Sequence, residues 1–431
     1  MRPPLVLALV LLLSSVLIAD RVPRGIVRLD GRALADESGP FNVLGTTLFW
    51  ALWGEQHDPD RLDRNLAWVA ARGVHYVRVL GMVGGASWTD RLIDPAADDY
   101  WPIVDRLLDR LAAHGLRAQV TLFAEADYVM PRRDARERFV DRWAAKANQR
   151  PERFVMLEIA NEHAQNGVAE VAELRALGSR LARQTDVLVA FSSPSSGQEC
   201  DVYAGSDADL ATIHYGRGAE GDDGPWAPVR QPWSWPQGFD ASCRGQLPPA
   251  VNNEPIGPQS SVAHDDDPRR LAMAYVLTFV AGNAAYVLHT GAGVRGGGIG
   301  DRPRGRPANL FEVTKLNQTL AAIAAAQRYL PPGLANWDRL EPSSERFPFS
   351  GIDGVTAGQR PPDVYASAHD DRFVVAFLGT SGPLTLQARG SIEFEIRHAL
   401  SGAVTSRSRL DKGDSVRLDG ADSYVAIGRR L

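Results

Sequence analysis

Runs of about five to eight apolar, β-branched-rich residues recur along the chain, the length and chemistry of strands buried on both faces. They are FNVLGTTLF (from Phe41), HYVRVLGM (from His75), LRAQVTLF (from Leu116), RFVMLEIA (from Arg153), DVLVAF (from Asp186), LATIHY (from Leu210), PAVNNE (from Pro249) and AAYVLHT (from Ala284). Between some of them the apolar period changes. PDRLDRNLAWVAARG, YWPIVDRLLDRLAAHG and VAEVAELRALGSRLARQ carry apolar residues at three and four spacing, and the first two end in the Gly expected just past a helix. DPRRLAMAYVLTFVAG and NLFEVTKLNQTLAAIAAAQRYL supply two later helices. Eight strands with intervening helices predict a (β/α)8 TIM barrel over residues 25–330. Segments 192–209 and 216–248, after strands five and six, are rich in Gly, Pro, Ser and Asp, and there the pattern predicts loops or degenerate helices.

Ahead of the first strand, GIVRLDGRALADESGPFNVLG reads as a short hairpin placed to close the lower end of the barrel. Past the last helix, PPGLANW is a Pro-Gly break in a linker-like position. From residue 337 to 431 the segments RFVVAFLG, GPLTLQARG, IEFEIRHAL, DSVRLDG and SYVAIGRRL alternate and are separated by turn residues, predicting a small C-terminal antiparallel β-sandwich.

The 431 residues, 44% of them hydrophobic, suffice for one large domain and a smaller one. A formal net charge of −5, with both signs mixed along the chain, gives no positive field for nucleic acid or an anionic membrane. Residues 1–20, MRPPLVLALVLLLSSVLIAD, have a basic start and an apolar run from Leu5 to Ala19, reading as a signal peptide or, if uncleaved, an N-terminal membrane anchor. Either places the rest outside the cytoplasm, secreted or periplasmic. In that setting the two cysteines, Cys200 and Cys243, read as one disulfide, the alternative being two separate buried thiols.

Two stretches, LEIANEH (157–163) and VNNEPIG (251–257), each place a glutamate directly after an asparagine at the end of a predicted strand. A barrel of this kind does its chemistry at the carboxyl ends of its strands, so Glu162 after strand four and Glu254 after strand seven face one pocket. Paired carboxylates are what glycoside hydrolysis requires, one to protonate the leaving oxygen and one to attack or stabilise the anomeric carbon. This arrangement resembles the retaining glycoside hydrolases of clan A, the cellulase-like family-five relatives among them, over the barrel portion.

The resemblance implies Glu162 as acid/base and Glu254 as nucleophile, Arg78 in YVRVLG as support for the nucleophile, and Asn161 as a partner of the sugar 2-hydroxyl. It sets His214 and Tyr215 near the two glutamates, while His289 stands where many relatives carry a tryptophan. As bland alternatives, Arg78 forms only a structural ion pair with Glu158, and the histidines are hydrogen-bonded framework. Aromatics gather where loops should line the mouth: Trp50, Trp53, Trp88, Tyr128, Trp226, Trp233 and Trp235, as sugar-stacking faces or as ordinary loop packing.

No HExxH is present and no His-x-His ends strand one, so no metal site is expected, and VRGGGIGDRPRGRP lacks the context of a phosphate loop. The expected function is hydrolysis of O-glycosidic bonds in a polysaccharide or oligosaccharide, without a cofactor, by a monomer that does not bind nucleic acid. The rival readings are a non-catalytic glycan-binding barrel and a transglycosylase using the same glutamates.

Overall fold

The computed structural model describes residues 24–85, 88–194, 198–216, 221–243, 247–259, 265–296, 308–353, 363–379, 382–418 and 422–431. The expected signal or anchor over residues 1–20 lies outside them. Among the described residues no helix is long and apolar enough to cross a membrane.

Eight parallel strands form the barrel: Val43–Thr47, Tyr76–Leu80, Arg117–Phe123, Phe154–Ala160, Val189–Ser192, Ala211–Ile213, Ala250–Asn252 and Ala285–Leu288. Each falls on one of the eight runs predicted, in the same order, the fifth extending one residue past its run to Ser192, and they are numbered strands one to eight below. Strand eight pairs with strand one, and a parallel bridge between Ala190 and Leu210 closes the ring between strands five and six. The (β/α)8 reading therefore holds. Below the barrel a three-stranded meander, Arg28–Asp30, Ala33–Asp36 and Gly39–Phe41, packs Val27 and Leu34 against Tyr76, Val155 and Leu188. The Arg117 guanidinium ties it down by donating to Asp36 at 2.8 Å.

The predicted helices form for the reasons their patterns give. In Pro59–Ala70 the Asp58 side chain accepts from the Arg61 amide, Pro59 opens the first turn, and Leu62, Leu66 and Val69 turn inward. Tyr100–Ala113 buries Ile103, Val104, Leu107, Leu108 and Leu111. Val171–Ala182, Pro268–Val280 and Leu316–Tyr329 complete the predicted set. The sequence reading passed over Arg133–Gln149, whose polar face is dense in charge, although Phe139, Val140, Trp143, Ala144 and Ala147 mark a buried stripe. The Pro-rich region after strand six contains a helix, Ala227–Cys243, despite Pro232 and Pro236 in its interior, each of which removes a backbone donor; Pro228 falls in the first turn, where none is needed.

The C-terminal strands make two antiparallel sheets. The larger has the spatial order Asp338–Leu340, Asp363–His369, Arg372–Leu378, Tyr424–Arg430, Ile392–His398, Val404–Leu410, and the smaller is Phe349–Asp353, Leu384–Ala388, Ser415–Leu418. Phe347, Phe349, Phe373, Phe377, Phe394 and Leu386 fill the space between them. Val374, Ala376 and Val425, on the other face of the larger sheet, belong to the same apolar core as the barrel and its helices.

Candidate active site

The inward-facing residues at the top of the barrel are polar rather than aliphatic. Thr47, Arg78, Gln119, Thr121, Glu158, Asn253 and His289 are all buried, and they come from strands one, two, three and four and from just past strands seven and eight. At their centre is Arg78. Its Nε and Nη2 donate to Glu158 Oε2 at 3.2 and 3.0 Å, Nη1 donates to Glu254 Oε1 at 2.6 Å, and Nη2 also reaches Asn161 Oδ1 at 2.8 Å. Burial by itself lowers the affinity of this guanidinium for its proton, but the charges of Glu158 and Glu254 more than offset that, and its pKa is raised. Glu158 accepts further bonds from Thr121 Oγ1 at 2.5 Å, Gln119 Nε2 at 3.3 Å and Asn253 Nδ2 at 3.1 Å. The buried charges are thus both paired and hydrogen-bonded.

This network uses both asparagines of the Asn-Glu pairs. Asn161 must turn its oxygen to Arg78, which can only donate, so its amide N–H groups are what it can offer a substrate hydroxyl. Asn253 bridges Gln119 and Glu158. Each glutamate follows one of these anchored residues. Asn161 is pinned by its amide to the Phe123 carbonyl at 3.0 Å, after which Glu162 adopts a left-handed backbone with φ of 38°, a conformation that residues with a Cβ rarely take. Past Glu254 the chain runs so close to strand eight that a Cβ on Gly257 would lie 1.7 Å from the His289 carbonyl oxygen, which accounts for the glycine in VNNEPIG.

Glu254 is buried and Glu162 is partly open, with 28% of its side chain exposed. His214 lies between them: Nδ1 is 3.0 Å from Glu162 Oε1 and Nε2 is 3.5 Å from Glu254 Oε1. Ser193 Oγ holds the His214 amide at 2.7 Å. One carboxylate oxygen of each glutamate and one ring nitrogen of His214 all lie within 4.8 Å of one another. Such a trio has the donor set for a cation, although the Arg78 guanidinium already lies 2.6 Å from the Glu254 oxygen.

Other predicted residues are placed differently. Alternation along the strand sends Tyr215 out of the barrel, where it is buried with its hydroxyl donating to Asn283, so it does not join the carboxylates. His289 reaches Glu254 from just past strand eight, with Nε2 3.7 Å from Oε2, but it is fully enclosed and presents no face for a sugar to stack on. Trp50 is equally buried, donating to the Ala292 carbonyl beneath Arg61, and Trp233 is wedged between Arg339 and Tyr365 of the C-terminal sheet. Neither lines the mouth. Trp226 also packs toward that sheet, against Gly379.

Trp53 borders a cavity of about 360 Å³ between its own helix and residues 90–103, and Trp88 lies half-buried under the Arg295 guanidinium at 4.4 Å. Tyr128 is exposed after strand three. The side chain of Trp235 lies outside the described residues. Sequence reasoning missed Thr47, Ser193, Gln119, Thr121 and Asn253, which orient the functional groups; strand alternation was the available signal for Gln119 and Thr121, each a two-residue step from its neighbour on strand three.

Cys200 and Cys243 form a disulfide with 5.4 Å between their Cα atoms, joining the short helix Glu199–Tyr203 to the end of Ala227–Cys243. It ties together the segments after strands five and six, which supply Ser193 and His214.

No protein-family model matches the chain, and no curated protein matches its sequence. Solved structures do match in fold. One described as a glycoside hydrolase superposes with a TM-score of 0.66 at 15% identity, covering 95% of this chain and 98% of that one. A glycoside hydrolase family 5 protein from Bacteroides vulgatus gives a TM-score of 0.67 at 16% identity, with 95% of each chain covered. A family 5 mannosidase from Rhizomucor miehei gives 0.52 at 12% identity over 72% of this chain and all of its own.

Proposed function

We propose that this protein is a retaining glycoside hydrolase acting on a glycan, with Glu254 as nucleophile and Glu162 as acid/base. The observation that carries the proposal is the approach of the two glutamates to within 4.8 Å at the carboxyl-terminal mouth of the barrel. Inverting enzymes hold their two carboxyl groups about 6.5–9.5 Å apart to admit a water beside the sugar, and retaining ones about 5–5.5 Å, so this close approach suits direct attack by a carboxylate. The fold shared with named glycoside hydrolases supports the same reading.

In the first step the Glu254 carboxylate attacks the anomeric carbon, the glycosidic C–O bond breaks, and Glu162 gives its proton to the departing oxygen. In the second, Glu162 takes a proton from water, whose oxygen attacks the same carbon and releases Glu254 from its ester. Arg78 holds Glu254 ionised and fixes the direction of Oε1. Glu162, more exposed than Glu254, stands where proton exchange with water is open between the two steps. Asn161 offers its amide N–H groups to a sugar hydroxyl.

Export is part of the proposal: the apolar leader in the sequence and the Cys200–Cys243 disulfide both suit an oxidising compartment. A panel of polysaccharides and aryl glycosides, assayed with the wild type and the Glu254→Ala variant, tests the function. Reducing ends released by the wild type and not by the variant support it. An inert wild type that still binds glycan favours a binding module.

A further inference from the structure

We propose that His289 is a positioning residue for Glu254, acting through a buried Thr47–His289–Glu254 array; this rests on the nucleophile role given to Glu254 above. His289, the residue that follows strand eight, enters the barrel top, where its ring is fully enclosed. Thr47 Oγ1 of strand one lies 2.9 Å from Nδ1, and the opposite nitrogen, Nε2, is turned toward Glu254 Oε2 at 3.7 Å. The Phe49 ring packs edge-on to the imidazole at 6.1 Å, and the chain at Gly257 closes over its carbonyl. A hydroxyl on one ring nitrogen fixes which way the imidazole points and leaves the other facing the carboxylate.

The charges around Glu254 give this contact its use. Arg78 binds Oε1, but the same guanidinium is bonded twice to Glu158, whose negative charge is as deeply buried. The three together carry a net charge of −1, so Arg78 supplies Glu254 with less than a full counter-charge. His214 also addresses Oε1, at 3.5 Å. His289 comes to the other oxygen and adds a donor on that side. At 3.7 Å the contact is longer than a hydrogen bond, and it shortens when substrate presses the carboxylate into line, as catalytic contacts commonly do. Among the described residues, the charged and titratable groups seen to face Glu254 are Arg78, His214, Glu162 and His289, and of these His289 is the one whose ring is hydrogen-bonded to Thr47.

Two measurements test the array. The first needs no turnover. In 13C-histidine-labelled protein, the His289 resonance, assigned by its loss in His289→Gln, is followed against pH in the wild type and in Glu254→Gln. The array requires the His289 response to shift to lower pH when the carboxylate charge is removed, and an unchanged response overturns the proposal whatever the protein hydrolyses. The second is kinetic. On an aryl glycoside, His289→Leu should lower kcat/KM about tenfold or more on the acid side of the profile and less near neutrality, whereas His289→Gln and Thr47→Val should lie between it and the wild type. A loss equal at every pH would mark His289 as framework and overturn the proposal. No turnover by the wild type would instead count against the glycosidase reading and leave the labelling result standing.

Discussion

Replacing Arg78 by Leu is the most informative structural perturbation. It removes four hydrogen bonds, two to Glu158 and one each to Glu254 and Asn161, and strands two carboxylates in the barrel interior. Breaking a buried ion pair from one side costs about 3–5 kcal/mol, because the partner's desolvation is no longer compensated. Unfolding entropy near 2.1 cal/mol/K per residue over roughly 300 barrel residues is about 0.6 kcal/mol/K, so the melting temperature should fall by about 5–8 °C. Calorimetry of the wild type and variant measures this, and circular dichroism below the transition confirms that the variant is folded. The deficit should narrow as the pH is lowered, because protonation removes the stranded charges. Arg78→Lys, which keeps a charge but loses the fork, should fall between the two. A Leu variant that melts within a degree of the wild type and retains full kcat/KM would show that Arg78 organises neither the core nor the nucleophile.

Reducing the disulfide, or replacing Cys200 and Cys243 by Ser, should destabilise the segments after strands five and six. Closing a loop across their separation of 43 residues corresponds to about 4 kcal/mol in the chain-entropy treatment, to be read as an upper bound by denaturant titration with and without reductant. Burial raises the pKa of Asp209, opposed by the Val189 amide that donates to its carboxylate at 2.8 Å. A raised folded-state pKa contributes stability that is complete below the unfolded value and lost as pH rises through the folded one. The melting temperature of Asp209→Asn relative to wild type should therefore rise as the pH is taken up from about 4, the ordinary carboxylate value, and level off above the folded-state value, and a flat difference would contradict the assignment.

The barrel was legible because its strands are apolar on both faces and its first helices carry caps and clear stripes, features that survive without tertiary context. The placement of Glu162 and Glu254 was legible for the same reason, since strand order alone puts both at one mouth. The aromatic residues were not. Trp50 and Trp233 follow strand ends in the sequence just as Trp88 does, yet a helical turn buries the first and the C-terminal sheet covers the second. Tyr215 fails by one step of alternation after His214. Arg133–Gln149 was hidden by charge on its outer face, and Val404–Leu410, a polar edge strand, by the lack of apolar alternation.

The central claim is that Glu254 attacks and Glu162 moves the proton, and azide rescue of the two alanine variants tests it most directly. On an aryl glycoside with a good leaving group, Glu162→Ala should keep its first step, lose far more on poor leaving groups, and regain turnover with azide as a glycosyl azide of the substrate's own anomeric configuration. Glu254→Ala should be inactive on both, and any azide product should have the opposite configuration. Equal losses on good and poor leaving groups in Glu162→Ala, without azide rescue, would contradict the account.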